Sequence, residues 1–138
     1  MTRESINPPN DWGAAYGMDQ GQVIHGAART LYLSGQAALE TDPGSELGVR
    51  VAHEGDMRRQ LSLVLGKIDG LLAQAGMTRE NVVFVRFYST ETAAFLENYD
   101  VYADWIGEAG ITPPQSDIGV QELAVPGLVI EVEVIAAD

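Results

Sequence analysis

Leu128-Val129-Ile130-Glu131-Val132-Glu133-Val134-Ile135-Ala136 is the stretch on which the architecture turns. Its β-branched residues favour a strand, and successive side chains of a strand point to opposite sides. Ile130, Val132 and Val134 then make one wholly apolar face, while Val129, Glu131, Glu133 and Ile135 make the other. Asn81 to Tyr88 repeats the pattern, with Val83, Val85 and Phe87 set against Phe84, Arg86 and Tyr88. The purely apolar faces are expected to meet helices. The opposite face, with Phe84, Tyr88, Val129, Ile135 and Tyr32, is too apolar to leave in water and too polar for a closed interior. Sheets of several copies packed together satisfy both demands. A symmetric homo-oligomer is therefore expected, with Arg86, Glu131 and Glu133 near the seams between subunits.

The helices that cover the first face are legible from spacing. Met57, Leu61, Val64, Leu65, Ile68, Leu71, Leu72 and Ala75 recur at helical intervals from about Glu54, and Gly76 has the character of a C-cap. Gly66 and Gly70 interrupt this helix; they either mark a close approach to a neighbour or are small residues tolerated there. A second helix, Thr92 to Ala109, presents Phe95, Tyr99, Tyr102 and Ile106 before Gly110 and Pro113 end it. Further strands are predicted at Gln22–His25, Thr30–Ser34 and Asp117–Leu123. About Thr41 to Val51, around Asp42-Pro43-Gly44, reads as a surface loop. The predicted order is β-β-α-β-α-β-β, an α+β fold with two helices on one face of a mixed sheet.

Composition narrows the function. At 138 residues the chain has the size of one domain. Twenty acidic against eight basic residues give a formal charge of −12, which repels nucleic acid and anionic lipid surfaces. No apolar run approaches the roughly 20 residues that span a bilayer, and Met1 to Asn10 is polar, so no membrane partner and a cytoplasmic location are expected. Cysteine is absent, which excludes disulfides and thiolate chemistry. His25 and His53 have no paired spacing, so neither a metal site nor a cofactor is expected; both read as surface or loop residues. Trp12 and Trp105 lack interleaved basic residues and read as packing side chains.

Tyr16, Leu31-Tyr32-Leu33-Ser34-Gly35-Gln36, Leu72-Ala73-Gln74-Ala75-Gly76, Val82-Val83 and Leu128 to Ala137 occur in an order that resembles the RidA/YjgF (reactive-intermediate deaminase) family, some of whose members carry endoribonuclease labels. The resemblance implies a chorismate-mutase-like fold, assembled as a homotrimer whose sheets form a central barrel, with small-metabolite clefts between subunits. It implies hydrolysis of imines and enamines such as 2-aminoacrylate to a keto acid and ammonia. In active members an arginine in a Pro-x-Arg-Ser/Thr element holds the substrate carboxylate through a two-pronged charged hydrogen bond. Here the element reads Pro113-Pro114-Gln115-Ser116-Asp117, so Gln115 stands in the place of the arginine and supplies no charge.

The candidate site follows from the same resemblance. Glu131 matches the carboxylate that positions or activates water, and Glu133 lies roughly 7 Å further along the same strand face. Either is a candidate for acid–base work or for a salt bridge across an interface. Asp117 is expected to add negative potential to the same cleft. Arg86 needs a partner among Glu131, Glu133 and Asp117, and is a candidate to replace the missing cation at a ligand carboxylate. Ser34, Gly35 and Gln36 resemble the cleft wall, where backbone amides hold an oxygen, or form a plain turn. Tyr16 is expected near the cleft mouth by the same resemblance, or is an ordinary packing residue. Two outcomes remain open: a deaminase or related C–N hydrolase re-tuned for a larger or less acidic substrate, and a non-catalytic metabolite-binding or chaperone-like trimer.

Overall fold

The structure is a computed structural model that describes residues 1–138. Its main sheet has the strand order β3-β9-β7-β8, with β4 also on β9. Here β3 is Thr30–Tyr32, β4 Gln36–Ala37, β7 Val82–Ser89, β8 Gln115–Gly119 and β9 Ile130–Ala137. The strand β9 runs antiparallel to β3, β4 and β7, whereas β8 runs parallel to β7 and forms an edge. This is the mixed α+β, chorismate-mutase-like architecture that the sequence predicts.

Helix α1 (Met57–Gln74) buries Met57, Leu61, Val64, Leu65, Ile68 and Leu72, one side of the predicted stripe. It begins three residues later than the periodicity suggests. His53 and Gly55 have φ of 52° and 69°, which no right-handed helix accommodates, and the Asp56 carboxylate caps the Arg59 amide at 3.1 Å. A Cβ placed at Gly66 or Gly70 would meet nothing within 4 Å, so neither glycine marks a close approach. Gln60 is buried without strain. Its amide donates to the carbonyls of Ala52, His53 and Gly127, and its Oε1 accepts from the Val129 amide, pinning α1 to the entry of β9.

The second predicted helix is two: α2 (Thr92–Glu97) and α3 (Tyr99–Ala109). Asn98 breaks them, with φ −110° and its side-chain amide donating to the Ala94 carbonyl at 2.8 Å, a local bond that competes with helix continuation. The helices and one sheet face enclose a core that includes Val85, Phe87, Phe95, Tyr102, Trp105, Ile130, Val132 and Val134.

Two corrections concern the sheet faces. A β-bulge lies between Val82 and Phe84, so Val82 rather than Val83 joins Val85 and Phe87 on the helix side. Val129, expected on the opposite face, is buried in the core because Gln60 holds its backbone there. The rest of that opposite face is as expected: Phe84, Tyr88 and Ile135 are half-buried, and Tyr32 is 73% exposed.

Additional strands flank the sheet. β1 (Thr2–Ile6) and β2 (Gly21–His25) form a hairpin, and Arg3 fastens it by donating to the carbonyls of Val82 and Glu80. The predicted loop near Thr41–Val51 is the turn of another hairpin, β5 (Leu39–Thr41) with β6 (Val49–Val51). Strand β8 starts two residues earlier than expected and stops at Gly119, where its pairing with β7 ends. No helix is long and apolar enough to cross a membrane.

Candidate functional site

The strand β8 follows Pro113-Pro114 and pairs in parallel with β7, placing Gln115 beside Val85 and Asp117 beside Phe87. Since Val85 and Phe87 face the helices, Gln115 and Asp117 do too. Opposite them a single 3-10 turn, Trp12–Tyr16, is capped by the Asp11 side chain and ended by Gly17 at φ 70°, a left-handed residue that turns the chain back. The turn, α2 and β8 enclose a cavity of about 570 Å³. Phe87, Ser89 and Phe95 form its depth; Trp12, Tyr16, Thr92, Leu96 and Ile118 surround it, with Met18, Gln115, Ser116 and Asp117 completing the wall.

A chain of hydrogen bonds orders the polar part of this wall. Tyr99, at the start of α3, donates its hydroxyl to the Tyr16 carbonyl at 2.6 Å and also approaches Gln115 Oε1 at 3.1 Å. Gln115 Nε2 lies 3.2 Å from each Asp117 carboxylate oxygen. An ionised carboxylate only accepts, so the Gln115 amide must turn its nitrogen to Asp117 and its oxygen to Tyr99. Burial pushes the Tyr99 phenol up to about 12. Asp117 is exposed as a residue, yet its carboxyl group is set down in the cavity, where desolvation pushes its pKa up and the Gln115 bonds only partly offset this. Behind the wall the Tyr102 hydroxyl is wholly buried and has no hydrogen-bond partner.

The remaining candidates lie on the other side of the sheet. Tyr88 pairs with Glu131 and Arg86 with Glu133, in phase with the outward face. Arg86 reaches Glu133 at 3.3 Å and rests 5.1 Å from the Phe84 ring centroid. Ser34 and Gly35 interrupt what would otherwise be one strand along β9, with Leu33 still bonded to Val134 and Gln36 opposite Val132. The chain there lies against Glu131: a Cβ at Gly35 would fall 2.8 Å from the Glu131 carboxyl carbon. The Gln36 amide bonds back to the Ser34 carbonyl at 3.0 Å, leaving Ser34 and Gly35 exposed.

Within one chain the predicted residues thus form two groups. Tyr16, Gln115 and Asp117 share the cavity, whereas Ser34, Gly35, Glu131, Glu133 and Arg86 occupy the opposite face, and Gln36, paired with Val132, belongs to the helix side outside the cavity. The expectation that Asp117 shares a cleft with Glu131 and Glu133 does not hold inside a single chain, because strand pairing puts them on opposite sides. Arg86 is engaged by Glu133, one of the partners foreseen for it, and lies on the face away from Gln115. Trp12, read as a packing residue, is 65% exposed at the cavity rim. Tyr99 was not foreseen as a site residue; the signal available was its place, four residues from Phe95, on an aromatic helix stripe that leads into the Pro113-Pro114 element. No cluster of three His, Asp or Glu side chains converges as a metal-holding group.

Comparison with known proteins bears on the family and the fold. Residues 19–138 match the family described as Endoribonuclease L-PSP. A RutC family protein of Aquifex aeolicus is 29% identical over 106 residues, covering 77% of this chain and 78% of the relative. The crystal structure of a Yersinia pestis protein of unknown function of the conserved Rid protein family, YyfB, superposes with a TM-score of 0.78 at 30% identity over the full length of both chains. E. coli TdcF, solved with bound serine, has a TM-score of 0.65 at 23% identity, covering 97% of this chain and 91% of its own, a likeness of fold. The chain belongs to the endoribonuclease L-PSP family, the group that includes the Rid (RidA/YjgF) proteins.

Proposed function

We propose that this protein is a single-domain homotrimer that binds a small metabolite in clefts between its copies and hydrolyses a C=N bond there. The observation that carries the reading is the division of the candidate residues between two faces of one sheet. Gln115, Asp117 and Tyr16 lie on the helix side, Glu131 with Ser34 and Gly35 on the other, and only a neighbouring copy can bring one group to the other. The outer face invites such a neighbour, since Tyr32, Phe84, Tyr88 and Ile135 have no helix over them.

In the proposed reaction Glu131 takes a proton from water as the oxygen adds to the imine carbon. That proton passes to nitrogen to give a carbinolamine; Glu131 then moves the remaining hydroxyl proton to the same nitrogen as the C–N bond breaks, leaving a carbonyl compound and ammonia. In this reading the backbone amides of Ser34 and Gly35 hold a substrate oxygen.

Sedimentation gives the assembly, and ammonia release from a set of carboxylated and uncharged imines gives the chemistry. A trimer mass is expected, with release falling about a hundredfold or more in Glu131→Gln. A monomer at micromolar concentration, or undiminished release by Glu131→Gln, would overturn the proposal. Release from no imine at all would favour the alternative, a trimer that binds its metabolite without turning it over.

A further inference from the structure

Resting on that reading of the cavity, we infer that its ligand carries an uncharged or positively charged nitrogen on an apolar, ring-sized body, and that Asp117 anchors the nitrogen while carboxylates are refused. Within one chain the wall has no lysine, arginine or histidine to meet an anion, and Arg86 on the opposite face is already engaged by Glu133. The group standing where a carboxylate-holding cation was expected is an amide, and its nitrogen is already turned to Asp117, 3.2 Å from each carboxylate oxygen. With its oxygen turned to Tyr99 at 3.1 Å, Gln115 works as a brace that fixes Asp117 and offers a ligand carboxylate no positive charge.

A carboxylate held among Phe87, Phe95 and Leu96 is a poor neighbour for a second negative charge and a strong acceptor for N–H donors, since reduced hydration magnifies both effects. The same aromatic walls suit a flat apolar body, and a cationic nitrogen gains further from their ring faces. A cavity of about 570 Å³ is large for a two- or three-carbon imino acid and ample for a substituted ring. The formal charge of −12 biases approach in the same direction.

Three probes with one ring separate the possibilities: benzamidine, benzamide and benzoate, titrated calorimetrically into the full-length protein. Benzamidine is expected to bind about tenfold or more tightly than benzoate, with benzamide between them. Asp117→Asn should abolish the preference while benzamide binding persists. Should that variant misfold, the wild type still decides the matter: benzamidine remains charged throughout, so its advantage must fall as acid protonates Asp117. Benzoate binding as tightly as benzamidine, no binding of benzamidine, or an unchanged preference in Asp117→Asn would each overturn the inference. None of the probes needs turnover, and all the named wall residues come from one chain. A failure here is therefore distinct from a failure of trimer assembly or of ammonia release.

Discussion

Replacing Asp19 with asparagine removes a negative charge from a point where four side chains converge as donors. Ser5 and Asn7 come from the first hairpin, Gln22 from its second strand, and Thr112 from the segment that enters β8, at distances of 2.7 to 2.9 Å. Burial alone would raise the Asp19 pKa, but the four donors outweigh it and bring the value down to about 2 from 3.8. That difference corresponds to about 2 kcal/mol of folding stability at neutral pH. Because the folded value lies below the unfolded one, this stability is fully present above about pH 4 and is lost as pH falls through about 2. Urea unfolding of wild type and Asp19→Asn at one fixed protein concentration measures it, since assembly would otherwise shift the midpoints. The gap should be about 2 kcal/mol at neutral pH and close steadily below about pH 4, where protonated Asp19 also sets an O–H against its donors. A gap that stays constant with pH, or one below about 0.5 kcal/mol at pH 7, would refute the assignment of the charge as the organising feature.

Gly70→Ala, at an exposed helical position with open space around it, should stabilise the fold by about 1 kcal/mol in the same urea assay. Gly35→Ala should leave stability within about 1 kcal/mol, because the obstructing atoms end a movable side chain, yet displace the Glu131 carboxylate and abolish ammonia release. Tyr32→Glu puts a charge on the edge strand of the uncovered face and should shift sedimentation to the monomer without changing the circular dichroism of one folded chain.

The helix α1 was legible because seven or eight apolar residues in strict helical phase leave little choice, and the two-faced sheet was legible because alternation in β7 and β9 is nearly unbroken. What escaped detection has no periodic mark. Thr2-Arg3-Glu4-Ser5-Ile6 is mostly polar, and its pairing with β2 is made by main-chain groups that any sequence supplies. Asn98 reads as an ordinary helical residue until its amide is seen on the Ala94 carbonyl. The replacement at Gln115 was visible in the one-dimensional pattern, but the relay from Tyr99 through Gln115 to Asp117 joins α3 to β8 across 16 positions. Nor could alternation tell that Asp117 and Glu131 face apart, because that depends on the registers of two strand pairs at once.

The irregularity between Val82 and Phe84 gives the chain a tolerance of its own. Downstream of it the phase of β7 is fixed by partners on β9, Phe84 with Ile135 and Arg86 with Glu133, so the spare residue is absorbed before any functional side chain is reached. Lineages that lose or gain one residue in this short approach would keep Arg86 outward and Phe87 inward, whereas the same event a few positions later would drive a guanidinium into the aromatic interior. Length variation among descendants of this sequence should therefore collect just ahead of Phe84 and be purged beyond it.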